Sequence, residues 1–196
     1  MDKNKIIKTA VTVVAVICIA LALILCAKCL FSSGGEQIAV TRLVMTALLI
    51  LALLFALVYF LGGGKKSDAK SFKLFTVLYT VALAGCAVNS AYAYFVTKAY
   101  SPIALVLTIL GMFFVATLAV GKNLGKLFSH TLCGLNFVNS AFVFFTLLVS
   151  KALGHITEEL KNIMPFELLF AALTLSVVMW LLVYFKYVDK DERGTY

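Results

Sequence analysis

Two asparagines set deep in long apolar runs, Asn89 and Asn139, pose the first chemical question of this chain. A side-chain amide carries donors and acceptors that lipid cannot satisfy, so each must find partners inside the protein. On a helix, Tyr79, Cys86, Asn89 and Ser90 fall near one face at spacings of 7, 3 and 1. Farther along, Ser129, Cys133, Asn136, Asn139 and Ser140 form a second stripe of the same kind. Such stripes hold no carboxylate and no base beside a nucleophile, so they offer hydrogen bonds rather than acid–base or nucleophilic catalysis. Two readings stand side by side. One is glue between helices, each bond worth about 0.6–2 kcal/mol. The other is a neutral lining for a pathway or binding site. Ala87, Ala91 and Gly134 are small enough to let neighbouring helices come close, which the first reading needs.

His130, near one end of the helix that carries Asn139, is the candidate titratable group. His155 is expected on the opposite side of the membrane, so the two cannot share a metal, and no metal or cofactor is expected. Gly62-Gly63-Gly64-Lys65-Lys66 follows a helix instead of opening one, so it predicts a turn and not a phosphate loop. Cys26-Ala27-Lys28-Cys29 is the motif with reactive potential. It resembles the exposed dithiol of membrane thiol oxidoreductases such as the quinone-coupled disulfide-generating enzymes, which implies thiol–disulfide exchange at Cys26 and Cys29. The resemblance covers these four residues. Those enzymes hand electrons to a second cysteine pair, whereas Cys18, Cys86 and Cys133 lie inside apolar spans here. An i, i+3 spacing on a helix also strains a disulfide.

The elements that must position these groups follow from composition. Of 196 residues, 63% are hydrophobic and 13% charged, against roughly 45–50% and about 25% in ordinary globular chains. A soluble fold of this length cannot hide that excess, so the bilayer serves as solvent. Six apolar stretches are long enough to cross it, at about 8–30, 40–61, 74–96, 102–120, 127–150 and 165–187. The expected fold is an all-α, six-helix membrane bundle over 1–196, forming a single domain. Ser101-Pro102 and Pro165 mark two helix starts. Between about 153 and 164, Leu153, Ile156, Leu160 and Ile163 recur at helical spacing. They predict a short amphipathic helix lying on the membrane surface or on the bundle.

Val88-Asn89-Ser90-Ala91-Tyr92-Ala93-Tyr94-Phe95 matches Val138-Asn139-Ser140-Ala141-Phe142-Val143-Phe144-Phe145 across 50 residues, and Leu57-Val58-Tyr59-Phe60 matches Leu182-Val183-Tyr184-Phe185. Three parallel helical hairpins and chance matching in apolar sequence both account for this.

The net charge of +8 arises from lysines flanking the spans, not from a basic stripe with interleaved aromatics, so nucleic acid is not an expected partner. Lys3, Lys5, Lys8, Lys65, Lys66, Lys70, Lys73, Lys122, Lys126, Lys186, Lys190 and Arg193 gather on the side of the termini, against Lys28, Arg42, Lys98, Lys151 and Lys161 on the other, which places both termini in the cytoplasm. Arg42 and Arg193 are the two arginines among 17 basic residues. That bias, with no Asn-x-Ser/Thr site, points to a bacterial plasma membrane. The charged residues within the spans lie near their ends, and no proline interrupts one, which argues against coupling through buried acids or broken helices.

The expected function is a small-solute transporter or channel component, not an enzyme, with lipid and a homo-oligomeric or membrane-complex partner around it. A membrane anchor or effector subunit working with a soluble partner is the alternative, and a thiol oxidoreductase the third.

Overall fold

A computed structural model describes residues 3–31, 40–61, 69–98, 100–121 and 124–193. Its helices are α1 (Lys3–Phe31), α2 (Val40–Leu61), α3 (Ala69–Thr97), α4 (Pro102–Val120), α5 (Lys126–Ala152), α6 (Glu158–Ile163) and α7 (Phe166–Arg193), with no strand among the described residues. All but α6 are long and apolar enough to cross a membrane. Their outward faces remain apolar at mid-helix: Ile17, Ile24, Leu51, Val106, Phe113, Val138 and Phe145 are exposed. In water that surface would be untenable, and in lipid it is the natural exterior. The chain is a multi-pass membrane protein.

α2 and α4 begin and end where their apolar runs do. α1, α3 and α7 run past theirs into lysine-bearing turns, which snorkelling side chains allow at a membrane interface. At α4, Ser101 takes the extended cap conformation and Pro102 opens the helix, but the Ser101 hydroxyl makes no capping bond. Pro165 precedes the first residue of α7 and offers its carbonyl to Leu168 N at 3.1 Å.

The six long helices pack in a ring, α1–α2–α3–α4–α5–α7 and back to α1. α7 also reaches α2 and α3 across the ring, making it the most enclosed helix. Leu168, Ala171, Leu175, Val178, Met179, Leu182 and Val183 supply its buried stripe to a core shared with Ile19, Leu49, Leu53 and Tyr79.

The amphipathic helix expected over about 153–164 is shorter than its periodicity suggests. Gly154, at φ +72°, ends α5 with bonds from Gly154 N to Lys151 O (3.0 Å) and His155 N to Ser150 O (2.9 Å). This is the paired closure that a left-handed glycine permits. The helix restarts at Thr157, whose hydroxyl accepts from Leu160 N at 3.3 Å. Leu153 is therefore left exposed in the turn, while Leu160, Ile163 and Met164 bury against Ala93, Tyr100, Ala104, Val143, Leu147 and Leu169. α6 lies on the bundle.

Candidate functional site

The polar stripes of α3 and α5 both face inward. Tyr79, Asn89, Ser90, Cys133 and Asn136 have essentially no exposed surface, and Cys86 and Asn139 are buried. Ser140 is half-buried beside the Tyr79 hydroxyl.

Three connected clusters emerge. At the centre, Asn136 Nδ2 donates to Tyr79 Oη at 3.4 Å, and Tyr79 Oη donates to Ala172 O at 3.1 Å, so α5, α3 and α7 meet.

Next to it, Asn139 Nδ2 donates to Leu107 O on α4. Gly111 makes this approach possible, because a Cβ there would lie 3.1 Å from Asn139 Nδ2 and 3.3 Å from Asn136 Oδ1.

Toward the end that carries α6, Asn89 Nδ2 donates to Ile163 O at 2.5 Å. Ser90 Oγ accepts from Tyr100 Oη at 3.4 Å and donates to Met164 Sδ at 3.5 Å. Tyr100 lies in the turn between α3 and α4. Burial pushes its phenol above the ordinary value, partly offset by Ser90 and Thr108, so it stays protonated and available as a donor.

Both readings of the stripes find material here. Asn89 and Asn139 each tie a backbone carbonyl of a neighbouring segment, which is what helix glue does. Yet Asn89 Oδ1 and Asn136 Oδ1 are buried with no hydrogen-bond partner among the described residues. A buried acceptor without a donor costs about 1–3 kcal/mol.

Cys26 and Cys29 are free thiols buried on the inner face of α1, not an exposed dithiol. Cys29 is covered by Arg42, whose guanidinium donates to Cys29 O and Sγ, each at 3.2 Å, and to Asn162 O at 2.8 Å. One cation thus pins α1, α2 and the end of α6. Arg42→Ala is expected to cost roughly 1–2 kcal/mol and to speed maleimide labelling of Cys29 in the detergent-solubilised protein. An unchanged labelling rate would show that the guanidinium does not shield the thiol.

His130 is half-buried, its ring 5.9 Å from that of Tyr187. Ser129 Oγ lies 3.1 Å from Tyr187 Oη, which donates to Leu124 O at 2.6 Å. Among the described residues no group of three or more His, Cys, Asp or Glu could hold a metal. A cavity of about 480 Å³ between α1, α5 and α7 is lined by apolar side chains with Cys18 and Thr174, and none of the stripe residues reaches it.

Sequence reasoning missed Gly111, Tyr100 and Arg42. Gly111 had a signal, since it is the one glycine inside the apolar run of α4 and an isolated helical glycine has a packing reason. Tyr100 takes its role from Ser90 in the preceding helix, and Arg42 takes its role from α1 and the end of α6, so the type of each residue alone gave no signal.

No protein-family model matches the chain, and comparisons with curated proteins and with solved structures gave no match.

Proposed function

We propose that the chain is a transporter or channel component for small neutral polar solutes, seated in a bacterial plasma membrane with both termini cytoplasmic. The observation that carries the reading is the pair of buried amide oxygens, Asn89 Oδ1 and Asn136 Oδ1, that lack donors among the described residues. A solute hydroxyl or amide N–H is the chemistry that answers them. The Tyr79 hydroxyl adjoins one of these oxygens through the same side chain. Neutral groups suit an uncharged solute, because an ion in this setting would need compensating charge. The bias of lysines toward the end that holds the termini supports the orientation.

The test is flux of glycerol, urea and small neutral amides into proteoliposomes. The wild-type chain should exceed empty liposomes for at least one solute. Asn136→Leu should lower that flux by about tenfold, the factor that one lost hydrogen bond of about 1.4 kcal/mol carries. Cys26→Ser should leave it unchanged, which separates this reading from thiol exchange. Flux no greater than in empty liposomes, or wild-type flux in Asn136→Leu, sinks the proposal.

A further inference from the structure

At the lysine-rich end of the bundle, α3, α4, α5 and α7 leave a cavity of about 220 Å³ between them. Its polar wall is made by Lys73, Lys186, Ser129 and Tyr187, with Phe72 and Gly121 beside them. Among the described residues, no acidic one lines it. The two ammonium groups have no carboxylate partner among the described residues. Lys186 instead holds its charge over two rings, 4.7 Å from the centroid of Phe72 and 5.7 Å from that of Tyr187. Cation–π contacts of this kind orient an ammonium without neutralising it. The Ser129 and Tyr187 hydroxyls complete the polar wall, with their protons committed to Tyr187 Oη and Leu124 O. Between the lining residues Leu124 and Ser129, the first turn of α5 starts at Gly125 without a side-chain cap. Its positive dipole end therefore adds to the local field.

Two cations without a carboxylate partner among the described residues, beside a helix start in one cleft, call for a bound anion with several acceptor oxygens. Phosphate is that anion. Its carrier follows from the surroundings. Val120 on the cavity wall is highly exposed, and Phe113 and Val106 repeat at intervals of seven along the same outward face of α4. An apolar lane thus runs from the cavity toward mid-membrane, as an acyl chain requires. We propose that this cavity binds the phosphate of an anionic phospholipid headgroup, with Lys73 and Lys186 as its cationic partners and the α4 lane receiving a chain. Basic pockets between membrane helices hold anionic headgroups by this logic. The inference stands apart from solute flux through the bundle interior.

The experiment uses the full chain in neutral detergent. Dioctanoyl phosphatidylglycerol, dioctanoyl phosphatidylcholine and inorganic phosphate are titrated separately while the melting temperature is followed. Phosphatidylglycerol should raise it saturably, phosphatidylcholine less, and inorganic phosphate not at all at the same concentration. Lys73→Gln and Lys186→Gln should each weaken the phosphatidylglycerol midpoint about fivefold, the effect of about one lysine charge near a headgroup. Lys73 is exposed and makes no ring contact, so its variant reports charge without disturbing packing. Lys98→Gln, at the opposite end, should leave the midpoint in place. Equal responses to the two lipids, or unchanged midpoints in both cavity variants, overturn the proposal. An equal response to inorganic phosphate transfers the site to free phosphate and overturns the lipid assignment.

Discussion

Gly111→Leu is expected to separate α4 from α5 and to lower the stability of the bundle by about 2–3 kcal/mol. The reason is geometric. Even a methyl group at this position meets Asn139 Nδ2 at 3.1 Å and Asn136 Oδ1 at 3.3 Å. Asn139 cannot simply swing away, because its amide is committed to Leu107 O, one turn back on the very helix that bears Gly111. A leucine must either break that bond or push the helices apart, and in lipid the freed Asn139 amide finds no water. Denaturant unfolding in detergent would measure the loss. Gly111→Ala should be much milder, because its added helix propensity offsets part of the crowding. The pair Gly111→Ala with Asn139→Ala should cost less than the sum of its members, since vacating the amide removes the clash. Strict additivity would mean that glycine and amide do not share this space.

Asn89→Leu should loosen the α6 segment without unfolding the ring. The substitution leaves the shape of the side chain nearly intact and removes the donor that serves Ile163 O. That carbonyl stands just before Met164 and Pro165, and a proline N cannot donate to it in exchange. An orphaned buried carbonyl costs about 1–3 kcal/mol. Because α6 is only 6 residues long, it has little helical stability of its own with which to resist. Hydrogen exchange of backbone amides between 157 and 164 should accelerate by about tenfold to a hundredfold, the range those energies imply. Exchange in α7 beyond Leu175 should stay slow. If the 157–164 amides keep their wild-type rates, the Asn89 bond is not what holds this segment down.

How far the sequence alone reached can be judged from these residues. The six long helices were legible because apolar length is a property of a contiguous stretch, and the bilayer leaves a backbone of that length only one conformation. The inward direction of Asn89, Asn136 and Asn139 was legible for the same reason, since an amide cannot face lipid. Their partners were not. The matching octapeptides around Asn89 and Asn139 give no hint that one amide would serve the end of α6 and the other α4.

The extent of α6 was misjudged because the apolar period runs unbroken through Gly154. Periodicity measures which faces are apolar, whereas the helix boundary depends on one glycine entering the left-handed region. The covering of Cys29 depends on Arg42, which lies in the next helix. The lysine cavity likewise takes its members from four helices, so no local window of sequence contains it.

The position of α7 has a consequence for how the molecule is made. The helix most enclosed by its neighbours follows α1–α5 in the chain, and it closes the ring against α1. Until it arrives, α1–α5 expose to lipid the faces that α7 will cover, and Tyr79 has no Ala172 carbonyl to bond. Closing the ring therefore depends on a contact of long sequence separation, the slow kind to form. A nascent chain stalled before residue 166 would present an open, unfinished cleft to the quality-control machinery of its membrane.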